Sequence, residues 1–222
     1  MDRELIVLYD NQASRGLEGA WGFSCLITPD ILFDTGGGAD MLRRNADALG
    51  VDLGRVRKLV VSHDHGDHSG GLDVLGEMGE VEVYLLPSFS GRLRRWIGSF
   101  PQAVVREVNG PTEIAPGVMT NGGLGRSPRE QSLLIMGAGI TVITGCAHPG
   151  MAEILSDASR WGRVTGLVGG FHDFSDLGLL RGLDLVVPCH CTKAKTAILE
   201  TFPQAVRCGV GLRLSLEENN ID

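Results

Sequence analysis

The densest chemistry in the chain is the run His63-Asp64-His65-Gly66-Asp67-His68. Three imidazoles and two carboxylates follow the apolar Leu59-Val60-Val61, one serine on, and form a nitrogen and oxygen ligand set. Such a set suits Zn²⁺, with Mn²⁺ or Fe as alternatives, better than a soft thiolate site does. The spacing permits two cations, with His63 and His65 on one and Asp67 and His68 on its neighbour. Gly66 is expected to let the loop double back. A merely polar surface turn is the competing reading, but uncompensated burial of this much charge is costly. Cys146, Cys189 and Cys191 flank other histidines and are read as supporting or structural, since small buried cysteines are commonplace.

The elements that must position these residues recur along the chain. Ile31-Leu32-Phe33 leads into Asp34-Thr35-Gly36, and Ile140-Thr141-Val142-Ile143 into Thr144-Gly145-Cys146-Ala147-His148. Gly166-Leu167-Val168 leads into Gly169-Gly170-Phe171-His172-Asp173, and Leu185-Val186-Val187 into Pro188-Cys189-His190-Cys191. Short β-branched runs bounded by Gly and Pro are predicted to be buried strands. Counting the run before His63, five strands then deliver polar residues from their C-terminal ends, the edge where open α/β sheets bind ligands. Glycine-rich turns alone would not explain why all six histidines fall in four of these turns.

Helical spacing covers Asp40 to Leu49, with Gly50 as a C-terminal stop, and Gly70 to Met78. It also covers Met151 to Trp161, with Pro149 just before it, and Lys193 to Thr201, while Val210 to Leu216 alternates as a strand does. The expected architecture is α/β, a four-layer αββα sandwich over one domain, 1–222.

Composition narrows the function classes. The formal net charge of -7 gives no global reason to expect nucleic acid as a partner, so a small-molecule substrate is expected. Five cysteines with no CxxC pair point to a reducing compartment. Leu5-Ile6-Val7-Leu8 is too short for a signal peptide, and no later run is long enough to span a bilayer. A cytoplasmic location without membrane partners is expected; oligomeric state is left open.

His63 to His68 resembles the HxHxDH motif of the metallo-β-lactamase superfamily, and segments resembling its other motifs appear in order along the chain, the first of them at Leu32-Phe33-Asp34-Thr35-Gly36. The resemblance implies that Asp34 supports the metal loop as a hydrogen-bond acceptor. It places His148 beside His63 and His65 on a first metal, and His190 beside Asp67 and His68 on a second. The fourth motif usually brings a bridging Asp, whereas Gly169 to Asp173 offers His172 and then Asp173. His172 is preferred as the metal-facing residue, because a neutral imidazole needs little charge compensation. The implied function is hydrolysis by water activated between two divalent metals, on a small phosphate-bearing or pterin-like substrate. Asp67 would hold the second metal, and Asp64 would orient a ligand or accept a proton.

Thr144 to Gly150, Gly169 to His172, Glu130-Gln131-Ser132-Leu133 and His190-Cys191-Thr192 together resemble the dihydropterin ribofuranosyl-aminobenzene phosphate synthase group. Trp21-Gly22 stands where that group often has His-Gly. Packing in the core is the preferred reading of Trp21, ahead of an apolar wall for a flat ring. Lys193 and Lys195 follow His190 and are candidates for a substrate phosphate, whereas Arg92, Arg94 and Arg95 read as a solvated helix face. Ser62 is read as a strand end and turn cap. Competing functions are a nuclease of the RNase Z kind, a redox di-iron protein and a non-catalytic ligand sensor on the same fold.

Overall fold

The first half of the chain lays down β1 (Glu4–Tyr9), β2 (Ser24–Ile27), β3 (Ile31–Phe33), β4 (Lys58–Val60), β5 (Val81–Leu85) and β6 (Ala103–Glu107). Helices α1 (Ala39–Ala48), α2 (Gly66–Ser69) and α3 (Gly91–Ile97) lie between them. The second half adds β7 (Thr112–Ala115), β8 (Val118–Thr120), β9 (Leu133–Met136), β10 (Ile140–Thr144), α4 (Met151–Ala158), β11 (Val164–Gly170), β12 (Leu185–Cys189), α5 (Lys195–Thr201) and β13 (Arg213–Ser215). This is a computed structural model, and it describes residues 3–216.

Two mixed sheets result, ordered β13-β1-β2-β3-β4-β5-β6 and β12-β11-β10-β9-β8-β7. Strands β3 to β6 run parallel, as do β10 to β12, so the turns after β3, β4, β10, β11 and β12 emerge at strand C-termini. The period of two along each strand produces the layering. Ile143, Val168 and Val187 join the core shared with Leu5, Phe33 and Leu59 of the other sheet. Their neighbours Val142, Leu167 and Val186 pack instead with Ile154, Ala158 and Ile198 of α4 and α5. On the far side α1 packs against β1 and α3 against β6. The expected helix, sheet, sheet, helix order is the observed one.

Element ends differ from expectation for local reasons. Residues 70 to 78 form a 3₁₀ helix at Leu72–Glu77 rather than an α-helix. Gly70 and Gly71 are pressed against the first-motif turn, where an added Cβ would clash with Gly37 O and Thr35 O respectively. The helix expected from Lys193 begins at Lys195, and Lys193 N–H binds His172 O. The last strand is shortened to Arg213–Ser215, and Val210 makes only an isolated bridge to Ala13.

Candidate metal centre

Among the described residues, four other than glycine have positive φ: Asp34 (57°), Ala147 (58°), His172 (45°) and His190 (42°). Each sits in one of the turns that follow β3, β10, β11 and β12. The left-handed region costs such residues about 1–3 kcal/mol and persists only where surrounding contacts over-determine it. Asp34 Oδ2 meets His68 Nδ1, while Glu130 and Asp10 hold the backbone at Ala147 and His190.

His63, His65 and His148 form one group. Their ring centroids lie 4.6, 4.7 and 5.0 Å apart, and His63 Nε2 faces His65 Nδ1 at 3.0 Å. Behind His63, Ser62 Oγ lies 2.9 Å from Nδ1 and donates to Asp34 Oδ2 at 2.7 Å. Ser62 therefore accepts the Nδ1 proton and leaves Nε2 as a lone pair directed at the group. Burial, reinforced by the neighbouring imidazoles, holds His63 well below its ordinary pKa. Burial, with the charges of His65 and His172, pushes His148 down to about 4. Both are neutral near pH 7, the state in which imidazole binds a cation.

Asp67, His68 and His190 form the second group, and the His63 and His68 rings, 4.3 Å apart, join it to the first. His68 Nδ1 donates to Asp34 Oδ2 at 2.6 Å, so Nε2 points into the centre, 3.1 Å from Cys146 Sγ. Burial opposes protonation of His68, but the Asp34 carboxylate more than offsets it and raises the pKa. Asp67 Oδ2 accepts from Trp21 Nε1 at 2.9 Å and lies 3.1 Å from His190 Nε2. Burial works against the Asp67 carboxylate, yet the His190 hydrogen bond and the His68 charge outweigh it and hold the carboxyl well below its ordinary range.

His190 has two tautomeric settings. With the proton on Nε2 it donates to Asp67, while Nδ1 accepts Gly22 N–H at 3.1 Å. With the proton on Nδ1 it donates to Asn11 Oδ1 at 3.1 Å, and Nε2 becomes free to ligate.

The donor set fits divalent cations. His148 Nε2 is buried with no hydrogen-bond partner, and a buried polar atom left so costs about 1–3 kcal/mol, which a bound cation would offset. Donor atoms of Asp67, His68, Cys146 and His190 all lie within 4.8 Å of one another, as do those of His63, Cys146 and His148. Imidazoles, one carboxylate and one thiol are a zinc-like set.

Other candidate residues fall in different places. His172 leans toward His148, with ring centroids 5.0 Å apart, and its side chain is 42% exposed. Asp173 turns outward and pairs with Lys193, so it stands outside both donor groups. Asp64 Oδ2 accepts Ser90 N–H at 2.7 Å, which ties the metal loop to the start of α3; it too stands outside the donor groups. Lys195 lines a separate cavity of about 230 Å³ with Gln12, Pro188 and Cys208, and no histidine borders it. Gly66 has neither positive φ nor any atom within 4 Å of an added Cβ, so the loop doubles back through α2 and not through glycine's freedom.

Trp21 corrects the core reading. It is 61% exposed, packs edge-on to His190 with centroids 4.6 Å apart, and hydrogen-bonds Asp67. Arg92 and Arg95 lie on the solvated face of α3, as expected.

Three supporting residues had no assigned role. Glu130 is fully buried: Oε1 accepts N–H from Gly145, Cys146 and Ala147, and Oε2 accepts from His148, at 2.9–3.0 Å. Asp10 Oδ2 accepts His190 N–H at 2.6 Å, and Asn11 Nδ2 donates to His190 O at 2.9 Å. The available signal was position: Asp10 and Asn11 follow the first apolar run as the other site residues follow theirs.

A family model described as the metallo-β-lactamase superfamily matches residues 28–150, more than half of the chain. With this fold and donor set, the chain belongs to the metallo-β-lactamase superfamily, whose hydrolase fold it shares. Among individual proteins, it is 27% identical to an uncharacterized protein of Methanocaldococcus jannaschii, over 85% of this chain and 90% of that one. It is 23% identical to the 7,8-dihydropterin-6-methyl-4-(β-D-ribofuranosyl)-aminobenzene-5'-phosphate synthase of the same organism, over 78% of this chain and 80% of the other. The solved structure of Tm1679, a metal-dependent hydrolase of the β-lactamase superfamily, aligns with a TM-score of 0.82 at 29% identity. That alignment covers 97% of this chain and 100% of that one.

Proposed function

We propose that this chain is a metal-dependent hydrolase that holds two divalent cations, zinc foremost, side by side. The first rests on His63, His65 and His148, the second on Asp67, His68 and His190. The observation that carries the reading is the adjacency of two donor groups, one of which contains a buried imidazole nitrogen with no other partner. When bound, such a pair supplies an acidified water and stabilises developing oxygen charge at neutral pH. The chain's own part is positioning. Asp34 sets the tautomer of His68 directly and that of His63 through Ser62, Asn11 accepts the Nδ1 proton of His190 in its ligating setting, and Trp21 holds the Asp67 carboxylate.

The proposed substrate is small, with a flat, pterin-like ring or a phosphate. A cleft of about 470 Å³ beside His148 and His172 has apolar walls from Met151, Phe171, Phe174 and Leu179. Trp21 presents an exposed indole on the His190 side. Aromatic and aliphatic walls with few polar groups suit a planar heterocycle. The name of the 23% identical relative agrees with that class. Lys193, held by Asp173 beside His172, is the ammonium available to a phosphate. Five free, buried cysteines fit a reducing compartment such as the cytoplasm. Among the described residues no helix is long and apolar enough to cross a membrane.

The test is elemental analysis of the unchelated protein, paired with a turnover screen over phosphomonoesters, phosphodiesters, thioesters, lactones and pterin phosphates. About two metals per chain with turnover of one of these classes is the expected result. Metal without turnover of any class would favour a ligand sensor, and no metal after reconstitution would overturn the reading.

A further inference from the structure

The two donor groups share one residue. Cys146 Sγ lies within 4.8 Å of the donor atoms of His63 and His148, and equally within 4.8 Å of those of Asp67, His68 and His190. It is 3% exposed and stands 3.1 Å from His68 Nε2. The fold holds it there from both sides. Its N–H is fixed at 2.9 Å by Glu130 Oε1, and Gly170 leaves the space its backbone needs: a Cβ at Gly170 would come within 3.3 Å of Cys146 Cα and 2.7 Å of Cys191 Sγ.

We propose that Cys146 is a metal ligand, its thiolate lying between the two cations and binding both. This rests on the two-metal reading above and deepens it.

Charge supports the assignment. Two dications held by five neutral imidazoles and the Asp67 carboxylate carry an excess of three positive charges within the ligand set, with the buried Asp34 and Glu130 carboxylates behind His68 and His63. Asp173, the carboxylate nearest in sequence to that place, is turned outward to Lys193. A thiolate at Cys146 lowers the excess to two, as a second carboxylate would. A coordinating thiol loses its proton outright, and the proton passes to solvent as the metal enters. Cys191 completes the arrangement: its Sγ lies 3.2 Å from Cys146 Sγ, where its S–H would support a thiolate ligand from outside the metal's own shell. Thiolate softness also biases the site toward zinc, cobalt or iron over Mn²⁺.

Cobalt loading of the chelated full chain tests this. Wild type is expected to bind two Co²⁺ with the near-ultraviolet thiolate-to-cobalt absorption. Cys146→Ser should lose that absorption and bind its second Co²⁺ about 100-fold more weakly, taking the upper range for altered metal shells. Cys191→Ser should keep both features, and Cys146→Asp should regain two metals without the absorption. X-ray absorption of zinc-loaded wild type needs no variant and should show sulfur at about 2.3 Å.

Two cobalt ions without a thiolate band, or a band that survives in Cys146→Ser, would remove Cys146 from the site while leaving the two-metal reading intact. So would a zinc shell without sulfur, or a Cys146–Cys191 disulfide in the loaded protein. Fewer than two metals in wild type, by contrast, would strike the two-metal reading itself.

Discussion

Asp34 Oδ2 accepts the Nδ1 proton of His68 at 2.6 Å, with both side chains fully buried. The same oxygen accepts from Ser62 Oγ, and Oδ1 accepts Ser62 N–H at 2.6 Å. One carboxylate thus orients a ligand in each donor group. Asp34→Asn keeps the shape but replaces one acceptor oxygen with a donor, so either Ser62 or His68 is left facing an N–H. The expected outcome is a loss of about 1–3 kcal/mol in stability and metal binding weaker by about 10–100-fold for both cations. Isothermal titration with Zn²⁺, beside urea denaturation of the metal-free protein, measures both. Wild-type affinity at both sites would show that Asp34 does not govern the ligands.

Glu130 carries the turn that presents Cys146 and His148. Four backbone N–H groups end on its two oxygens, in a place no water reaches. Glu130→Gln puts an amide N–H against one or more of these donors. Each N–H left unpaired costs about 1–3 kcal/mol, so the variant should unfold at clearly lower urea concentration than wild type. Binding of the metal held by His148 should weaken more than that of the metal held by His190. Equal weakening at both sites would argue against a local role for this carboxylate.

Trp21 separates packing from positioning. Because it is mostly exposed, its removal should change stability by no more than about 0.5 kcal/mol. Trp21→Phe keeps an apolar wall but loses the Nε1 hydrogen bond to Asp67. Trp21→Ala loses both. The expected pattern is weaker second-metal binding in both variants, with a several-fold rise in KM confined to Trp21→Ala. Steady-state kinetics at saturating metal reads that difference, and an unchanged KM in Trp21→Ala would mean that the indole does not touch substrate.

Much of the site was legible because metal ligands cluster in short loops. His63, His65, Asp67 and His68 come from one turn, and each further histidine ends its own apolar run. The supports were harder to read, because Glu130 reaches Gly145 to His148 from across a turn and Asp10 meets His190 after 180 residues of chain. Nothing in local spacing encodes those pairings. Trp21 was misread because average burial was applied to a residue whose neighbours, Asp67 and His190, are themselves distant in sequence. Ser62 was read as a strand cap, and its hydroxyl proved to be the link between Asp34 and His63. For the 70–78 segment the short helix read from the apolar spacing is present, as a 3₁₀ helix at Leu72–Glu77.

The metal-free protein should lose stability in mild acid. His63, His148 and His190 all have pKa values depressed by burial below the ordinary 6.5, with His148 at about 4. As pH falls through 6.5, these residues take up protons in the unfolded chain before they do so in the folded one. The folded state is therefore penalised progressively from about pH 6.5 down to pH 4, and the contribution is complete only above that window. His68 runs the other way: its raised pKa gives a contribution that is full below 6.5 and fades as pH rises through the folded value. Glu130, whose pKa burial raises, acts in the same sense as His68. The three lowered imidazoles set the net direction expected here. Urea midpoints of the chelated protein should accordingly be higher at pH 7.5 than at pH 5. His148→Gln, which has no imidazole at that position, should show a shallower dependence. A flat profile across this range in wild type would mean that these imidazoles are not held neutral by the fold.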